Sequence, residues 1–362
     1  MSDIIISGYY GLGNSGDEAL LESIVSDLKS INPDITITAL SADAKQTKER
    51  YGIKTVNRFN IFSIIREFRS AKLLLSGGGT LIQDATSTKS LLYYLGIISL
   101  AEKMGLKTML YANGMGPISD KNVKKVRRVL NKTDLITLRE NVSLEEIQRC
   151  NITKPKVMVT ADPAFNLIAS DDKKAQEIFS RYSIGADSKT IAVSVRESRN
   201  APENFEENLA KALDEVAKKG YTPVFIPMQR ALDLDISLRI ASKMKEESKV
   251  LDSEISVCDM LALIGRCSIA VGMRLHMLIF ASVMDVPMAG IAYDPKVKGF
   301  MEYMHQKNYV ELDEFGFENF LKVLEEVLEN SDLLRSQLEK ELIPIREKAK
   351  ENAFLALELL KK

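Results

Sequence analysis

"SGYYGLGNSGDEALLESIVSDL", Ser7 to Leu28, is the stretch whose reading decides the fold. The apolar run "DIIISG" enters a turn holding Gly11, Gly13, Asn14 and Gly16, and the chain leaves it with apolar residues at helical spacing. Strand, glycine turn and helix in that order open a doubly wound α/β sheet, whose ligands bind at the carboxyl ends of the strands. Gly11-x-Gly13-x-x-Gly16 is the spacing of a dinucleotide turn, but its surroundings argue against that ligand. Asp17 and Glu18 follow at once, where carboxylates repel a pyrophosphate, and the first acid after the second strand, Asp43, stands more than about 20 residues on. Two readings of the acidic pair stay open. The carboxylates cap the helix and complement its dipole, or they face the ligand side, to bond sugar hydroxyls or act as a base. Asp84, after the next glycine turn, poses the same choice.

Outward from this stretch, short β-rich runs alternate with helical patterns. "ITITAL", "KLLLSGGG", "KTMLYANG", "DLITLRE" and "KVMVTAD" continue the first half; "TIAVSVRE", "YTPVFIPM", "CSIAVGMR" and "MAGIAYD" make the second. Continuous apolar runs between helices read as parallel strands covered on both faces. Helices are expected over 17–30, 90–104, 142–150, 203–219 and 275–284. The polar stretch 166–189 lacks a strand and divides the halves. After Tyr293 the pattern is wholly helical, with Pro344 expected to end or kink a helix. The expectation is an α/β protein of the GT-B kind, with two Rossmann-like domains facing a cleft: residues 1–170, residues 185–315, and closing helices over 316–362.

Composition narrows the function. The 362 residues are 45% hydrophobic and 27% charged with net charge −1, so no global field steers the chain to nucleic acid. Three scattered cysteines and two histidines supply neither a disulfide framework nor a metal cluster, so no metal is expected. No signal peptide or long apolar run appears, and the cytoplasm is the expected location.

An anionic ligand must therefore be held locally. Three strands run into glycine turns: at Gly11–Gly16, at Gly77, Gly78 and Gly79, and at "NGMGP". Glycine lets backbone N–H groups approach an anion, although tight strand-to-helix packing also uses it. Arg139, Arg196 and Arg274 stand at strand ends, where a guanidinium is either paired with a neighbouring acid or binds an anion. In "CSIAVGMRLHMLIFASV", Arg274 and His276 flank the first turn of a buried helix, placed for a phosphate or carboxylate. Lys296 and Lys298, in "YDPKVKGFM", can reach the same anion. "KNVKKVRRVLNK", 121–132, reads as a solvated basic face or as a contact with anionic lipid.

Taken together, "SGYYGLGNSGDEALL", "SGGGTLIQD" with "KSLLYY", "YANGMGP", "ITLRE", "ADPAF", "VSVRE" and "GMRLHMLIFA" with "YDPKVKGFM" resemble the polysaccharide pyruvyl transferase family. The resemblance is to the CsaB-type members that pyruvylate secondary cell-wall polymers anchoring S-layers. It implies transfer of pyruvate from phosphoenolpyruvate to a sugar as a ketal, with no cofactor besides that co-substrate. It also implies a lipid-linked saccharide acceptor containing N-acetylmannosamine; the basic stretch 121–132 adds the expectation of peripheral contact with the inner membrane surface. By the same carry-over Arg139, Arg274, His276 and Lys296 or Lys298 hold the donor, and Asp17, Glu18 and Asp84 lie near the acceptor. In that scheme a carboxylate deprotonates the sugar hydroxyl and His276 assists phosphate departure. Two rivals share these features: a GT-B glycosyltransferase using a nucleotide sugar, and a glycan-binding protein without catalysis.

Overall fold

The computed structural model describes residues 2–361. The apolar runs become strands. In the first half these are β1 Ile4–Tyr10, β2 Ile37–Ser41, β3 Lys54–Asn57, β4 Leu73–Gly77, β5 Lys107–Asn113, β6 Leu135–Leu138 and β7 Lys156–Val159. The second half adds β8 Lys189–Ser194, β9 Tyr221–Phe225, β10 Lys249–Val250, β11 Ile269–Gly272, β12 Met288–Ala292 and β13 Tyr309–Glu311. They form two sheets, β3-β2-β1-β4-β5-β6-β7 and β10-β9-β8-β11-β12-β13, with the β1–β4 and β8–β11 pairs parallel like their neighbours. Consecutive side chains alternate between faces, so Ile5, Leu74 and Leu110 pack in one core and Ile4, Ile6, Leu75 and Met109 in another. Helices on both faces explain why these strands are apolar at every position rather than at every second one.

The chain divides into two compact units. One contains the residues up to Leu167 and those from Pro344 onward; the other is Ile168–Ile343. The C-terminal helices therefore do not form the separate closing segment expected over 316–362. Helix Phe317–Glu329 packs on the second core through Phe320, Leu324 and Val327, while Ala353, Ala356 and Leu357 belong to the first. The helix Ser331–Lys361 runs on through Pro344 instead of ending there. Pro344 is exposed, as is Lys340 one turn earlier, so water can satisfy the carbonyl that proline leaves without a donor. Strand β13 also corrects the expectation of a wholly helical region beyond Tyr293. No helix among the described residues is long and apolar enough to cross a membrane.

Candidate active site

Because both sheets are parallel, the carboxyl ends of their strands lie along one edge of each sheet. In the first unit the glycine turns after β1, β4 and β5 stand on adjacent strands. Asn14 caps helix Ser15–Ile31, its Oδ1 accepting from the N–H groups of Gly16 (3.0 Å) and Asp17 (3.4 Å). Gly11 N–H donates to Glu18 Oε1 (2.7 Å), and Tyr51 O–H donates to Glu18 Oε2 (2.7 Å). Three N–H groups that a pyrophosphate would need are thus occupied by the protein's own oxygens, which is the physical reason the dinucleotide reading fails. Glu18 is buried and engaged at both oxygens, so it braces the turn.

Asp17 is placed differently. A Cβ added at Gly79, where φ is +67°, would lie 3.1 Å from Asp17 Oδ1, so the second glycine turn passes directly beside this carboxylate. Gly78, also at positive φ, lies against Leu20, where a Cβ would come within 2.7 Å of Cδ1. The charge of Asp17 is felt by the buried phenols of Tyr10 and Tyr94. Burial pushes the Tyr94 hydroxyl up to about 12, with Asp17 adding to the rise and Arg58 opposing it. Arg58, itself buried, donates to Gly8 O (3.0 Å) and Tyr94 Oη (3.2 Å), and its guanidinium lies 4.5 Å from the Tyr93 ring centroid. Arg58 and the two tyrosines were not singled out as a group in the sequence. The available signal was an arginine directly after a β-run and an adjacent Tyr pair on a helix.

Arg139, at the end of β6, is buried in the same unit. Its Nε donates to Glu140 Oε2 (2.7 Å), its Nη1 to Asp162 Oδ2 (2.9 Å) and its Nη2 to Thr80 Oγ1 (3.3 Å). Burial opposes its charge, but Glu140 and Asp162 outweigh that and hold the group above the ordinary guanidinium value. The third glycine turn leans on this knot, since a Cβ at Gly114 would approach Thr80 Oγ1 to 2.6 Å. Arg139 thus ties the ends of β4, β5, β6 and β7 together. Asp84 is likewise committed: Ser119 N–H (2.9 Å) and Asn122 Nδ2 (2.6 Å) donate to it, beside the Ser119 hydroxyl. Burial works to raise its pKa, and these bonds more than reverse that, leaving it below the ordinary carboxylate value. Asp84 therefore fixes the start of helix Asp120–Leu130.

In the second unit the carboxyl ends of β8, β11 and β12, three neighbouring strands, carry the cations. Arg274 is the N-cap of helix Leu275–Val283. Its Nε (3.0 Å) and Nη2 (2.5 Å) fork onto the two oxygens of Asp233, which is fully buried and also accepts from Gln229 N–H (2.8 Å). That fork fixes the guanidinium plane and uses only part of its donor capacity. Arg196 stacks on the Tyr293 ring at 4.6 Å to the centroid and donates to Tyr293 Oη (2.8 Å) and Glu197 O (3.3 Å). Glu197 turns its own carboxylate to Arg239. Among the described residues, no carboxylate forms an ion pair with Arg196. His276 stands in the first turn of its helix, 6.2 Å from the Phe280 ring. Lys296 stands in the first turn of helix Pro295–Tyr303, capped by Asp294, whereas Lys298 is ion-paired with Glu311 at 2.6 Å.

The structure therefore brings Arg196, Arg274, His276 and Lys296 to one sheet edge of the second unit, and Asp17, Glu18, Gly77–Gly79 and Arg139 to one sheet edge of the first. Lys298 and Asp84 are tied elsewhere. Asp233 was missed because it lies in the charged helix Arg230–Lys243, where an aspartate reads as surface. No group of three or more His, Cys, Asp or Glu able to hold a metal occurs among the described residues.

Comparison with known proteins follows the same lines. The family described as "Polysaccharide pyruvyl transferase" matches residues 14–295, most of the chain. Over 214 residues the chain is 25% identical to the amylovoran biosynthesis protein AmsJ of Erwinia amylovora, covering 54% of this chain and 51% of that protein. The chain thus spans about half the length of this curated relative. Among solved structures, a putative UDP-N-acetylglucosamine 2-epimerase from Listeria monocytogenes aligns with a TM-score of 0.69 at 11% identity, covering 99% of this chain and 96% of that one. HepE of Anabaena in complex with UDP-glucose aligns at 0.65 and 11%, covering 99% and 98%. At such identities the likeness concerns the fold alone, which is the GT-B-like class that the β-α alternation led one to expect.

Proposed function

The chain belongs to the polysaccharide pyruvyl transferase family, and from that premise we propose that it moves the pyruvyl group of phosphoenolpyruvate onto a sugar as a cyclic ketal. The observation that carries the donor reading is Arg196. It is a cation stacked on Tyr293 with no carboxylate paired to it among the described residues, on the same sheet edge as Arg274, whose guanidinium is already oriented by Asp233. A cation held ready in this way favours an anion, and phosphoenolpyruvate offers a carboxylate and a phosphate. His276 and Lys296, each at a helix start, add donors where the dipole also favours negative charge.

The reaction as proposed begins with a proton added to the methylene carbon of the donor, leaving an oxocarbenium-like centre. One sugar hydroxyl adds to that carbon and gives up its proton. The C–O bond to phosphate breaks, and a second hydroxyl of the same sugar closes the ring; of the two hydroxyl protons released, one replaces that spent on the methylene carbon and the other leaves on phosphate. Asp17 takes the hydroxyl proton in this scheme, and Glu18 acts through the turn it braces. His276 assists phosphate departure. Phosphoenolpyruvate is consumed as a co-substrate, and no further cofactor enters. The acceptor we favour is a lipid-linked saccharide of a bacterial surface polymer, with N-acetylmannosamine the sugar that the CsaB-type resemblance suggests.

The test is calorimetric titration with phosphoenolpyruvate, on the protein and on Arg196→Ala. We expect binding that weakens at least about tenfold in the variant, matching loss of a charge-assisted bond. Binding of UDP or UDP-sugars with none of phosphoenolpyruvate would overturn the reading in favour of a glycosyltransferase.

A further inference from the structure

We propose that one face of the first unit is a docking surface for an anionic lipid bilayer. The inference does not depend on which group the enzyme transfers. Two grooves, the two arms of this surface, lie along helix Thr88–Lys103 and share Leu92, Gly96, Ser99 and Lys103 as lining. One arm ends at Phe59 and Ile61, and the other at Lys125, Arg128 and Lys132.

The first arm is apolar and uncovered. Phe59 is 72% exposed, and Phe62, on the adjoining helix Ile61–Phe68, is 83% exposed; Ile61 and Leu92 are also exposed. Single exposed apolar residues are ordinary, but Phe59, Ile61 and Leu92 line one groove and exposed Phe62 follows Ile61 in the chain, which calls for a partner. That helix turns Ile64 and Phe68 inward, so its core face is already satisfied without Phe62.

The second arm is cationic. Helix Asp120–Leu130 buries Asn122, Val126 and Leu130, which leaves Lys121, Lys124, Lys125 and Arg128 exposed. No ion pair joins the basic residues of 121–132 to an acid among the described residues. Of the acids lining the groove, Asp134 is bridged to Lys107 at 3.0 Å. Burial pushes the Glu102 carboxyl up to about 7, so it carries only part of its charge near neutral pH.

Aromatic and aliphatic side chains beside unpaired lysines and arginines match the two layers of an anionic membrane surface. Phenylalanines enter the headgroup–acyl boundary while the cations meet lipid phosphates. A soluble polyanion would use the cations but give the phenylalanines nothing to do. A second copy of this chain would set basic helix against basic helix.

The full chain would be sedimented with vesicles of phosphatidylcholine, with and without phosphatidylglycerol, at increasing salt. We expect binding to the anionic vesicles only, falling as salt rises. Lys125→Glu with Arg128→Glu should lower partitioning at least about tenfold, and Phe62→Ser at least about fivefold, with circular dichroism confirming the fold. Should the charge reversals unfold the protein, Lys125→Ala with Arg128→Ala replaces them. The proposal is overturned if the folded protein ignores anionic vesicles or binds neutral ones equally. It is also overturned if Phe62→Ser changes nothing while dextran sulfate competes, which marks a polyanion site. Self-association abolished by Phe62→Ser without vesicle binding would mark a contact between copies instead.

Discussion

Asp233 sets the plane of the Arg274 guanidinium, and that geometry separates the roles of charge and shape at the proposed donor site. Lysine keeps the charge but cannot make the fork, so Arg274→Lys should raise KM for phosphoenolpyruvate about tenfold with kcat less affected. His276 contributes one bond or a proton, so His276→Gln should leave KM near its starting value and lower kcat about 10²-fold. Steady-state phosphate release across donor concentrations reads both. The same assay separates the two lysines: Lys296→Ala should raise KM, and Lys298→Ala, which only breaks the Glu311 pair, should leave it within about twofold. In the first unit Asp17→Asn should reduce turnover at least about 10²-fold with donor binding and stability unchanged. Glu18→Ala should instead lower stability by about 2 kcal/mol, because Gly11 N–H and Tyr51 O–H lose a buried acceptor. Denaturant unfolding of both variants distinguishes them, and a fully active Asp17→Asn would reduce Asp17 to a first-turn carboxylate that complements the helix dipole.

At the scale of elements, helix Ser15–Ile31 carries the turn at one end and a half-buried acid, Asp27, near the other. Burial raises the Asp27 carboxyl to about 6, while the Asn166 amide (2.9 Å) and Lys350 offset only part of the effect. The folded value stands above the unfolded one of about 3.9, so the native state binds the proton more tightly. This group's contribution is therefore most favourable below about pH 4 and is lost as pH rises through about 6. Asp27→Asn should raise stability by about 1–2 kcal/mol at pH 8 and by little at pH 4, measured by urea unfolding at both. The strand–turn–helix units were legible in the sequence because apolar runs and glycines are local signals. Strands β3, β10 and β13 were not, since β3 and β10 have largely exposed or half-buried residues and all three are very short. The strand-end arginines were legible as positions but not as roles. Arg139 is neutralised in part by Asp162, 23 residues away, and Arg274 is aimed by Asp233, 41 residues away. Partners at such separations leave no mark in the spacing around either arginine.

At the scale of the whole molecule, the chain returns to its first unit at the end. Asn352, fully buried, accepts from Thr160 Oγ1 (2.8 Å) and donates to Ala161 O (3.1 Å), and Ala353, Ala356 and Leu357 complete the core around Ile4 and Ile37. A chain ended after Ile343 should therefore lose the cooperative unfolding of the first unit and keep that of Ile168–Ile343, as read by calorimetry of both chains. On the proposed reading the donor is an enol phosphate with two anionic groups, a carboxylate and a phosphate. The measurement that tests this most directly is incubation of the protein with phosphoenolpyruvate and a lipid-linked saccharide, following free phosphate and the acceptor's mass together. The account predicts one phosphate released for each acceptor that gains a pyruvyl ketal, with both signals lost in Arg274→Ala. Phosphate release without a change in the acceptor, or acceptor modification only when a nucleotide sugar is supplied, would contradict it.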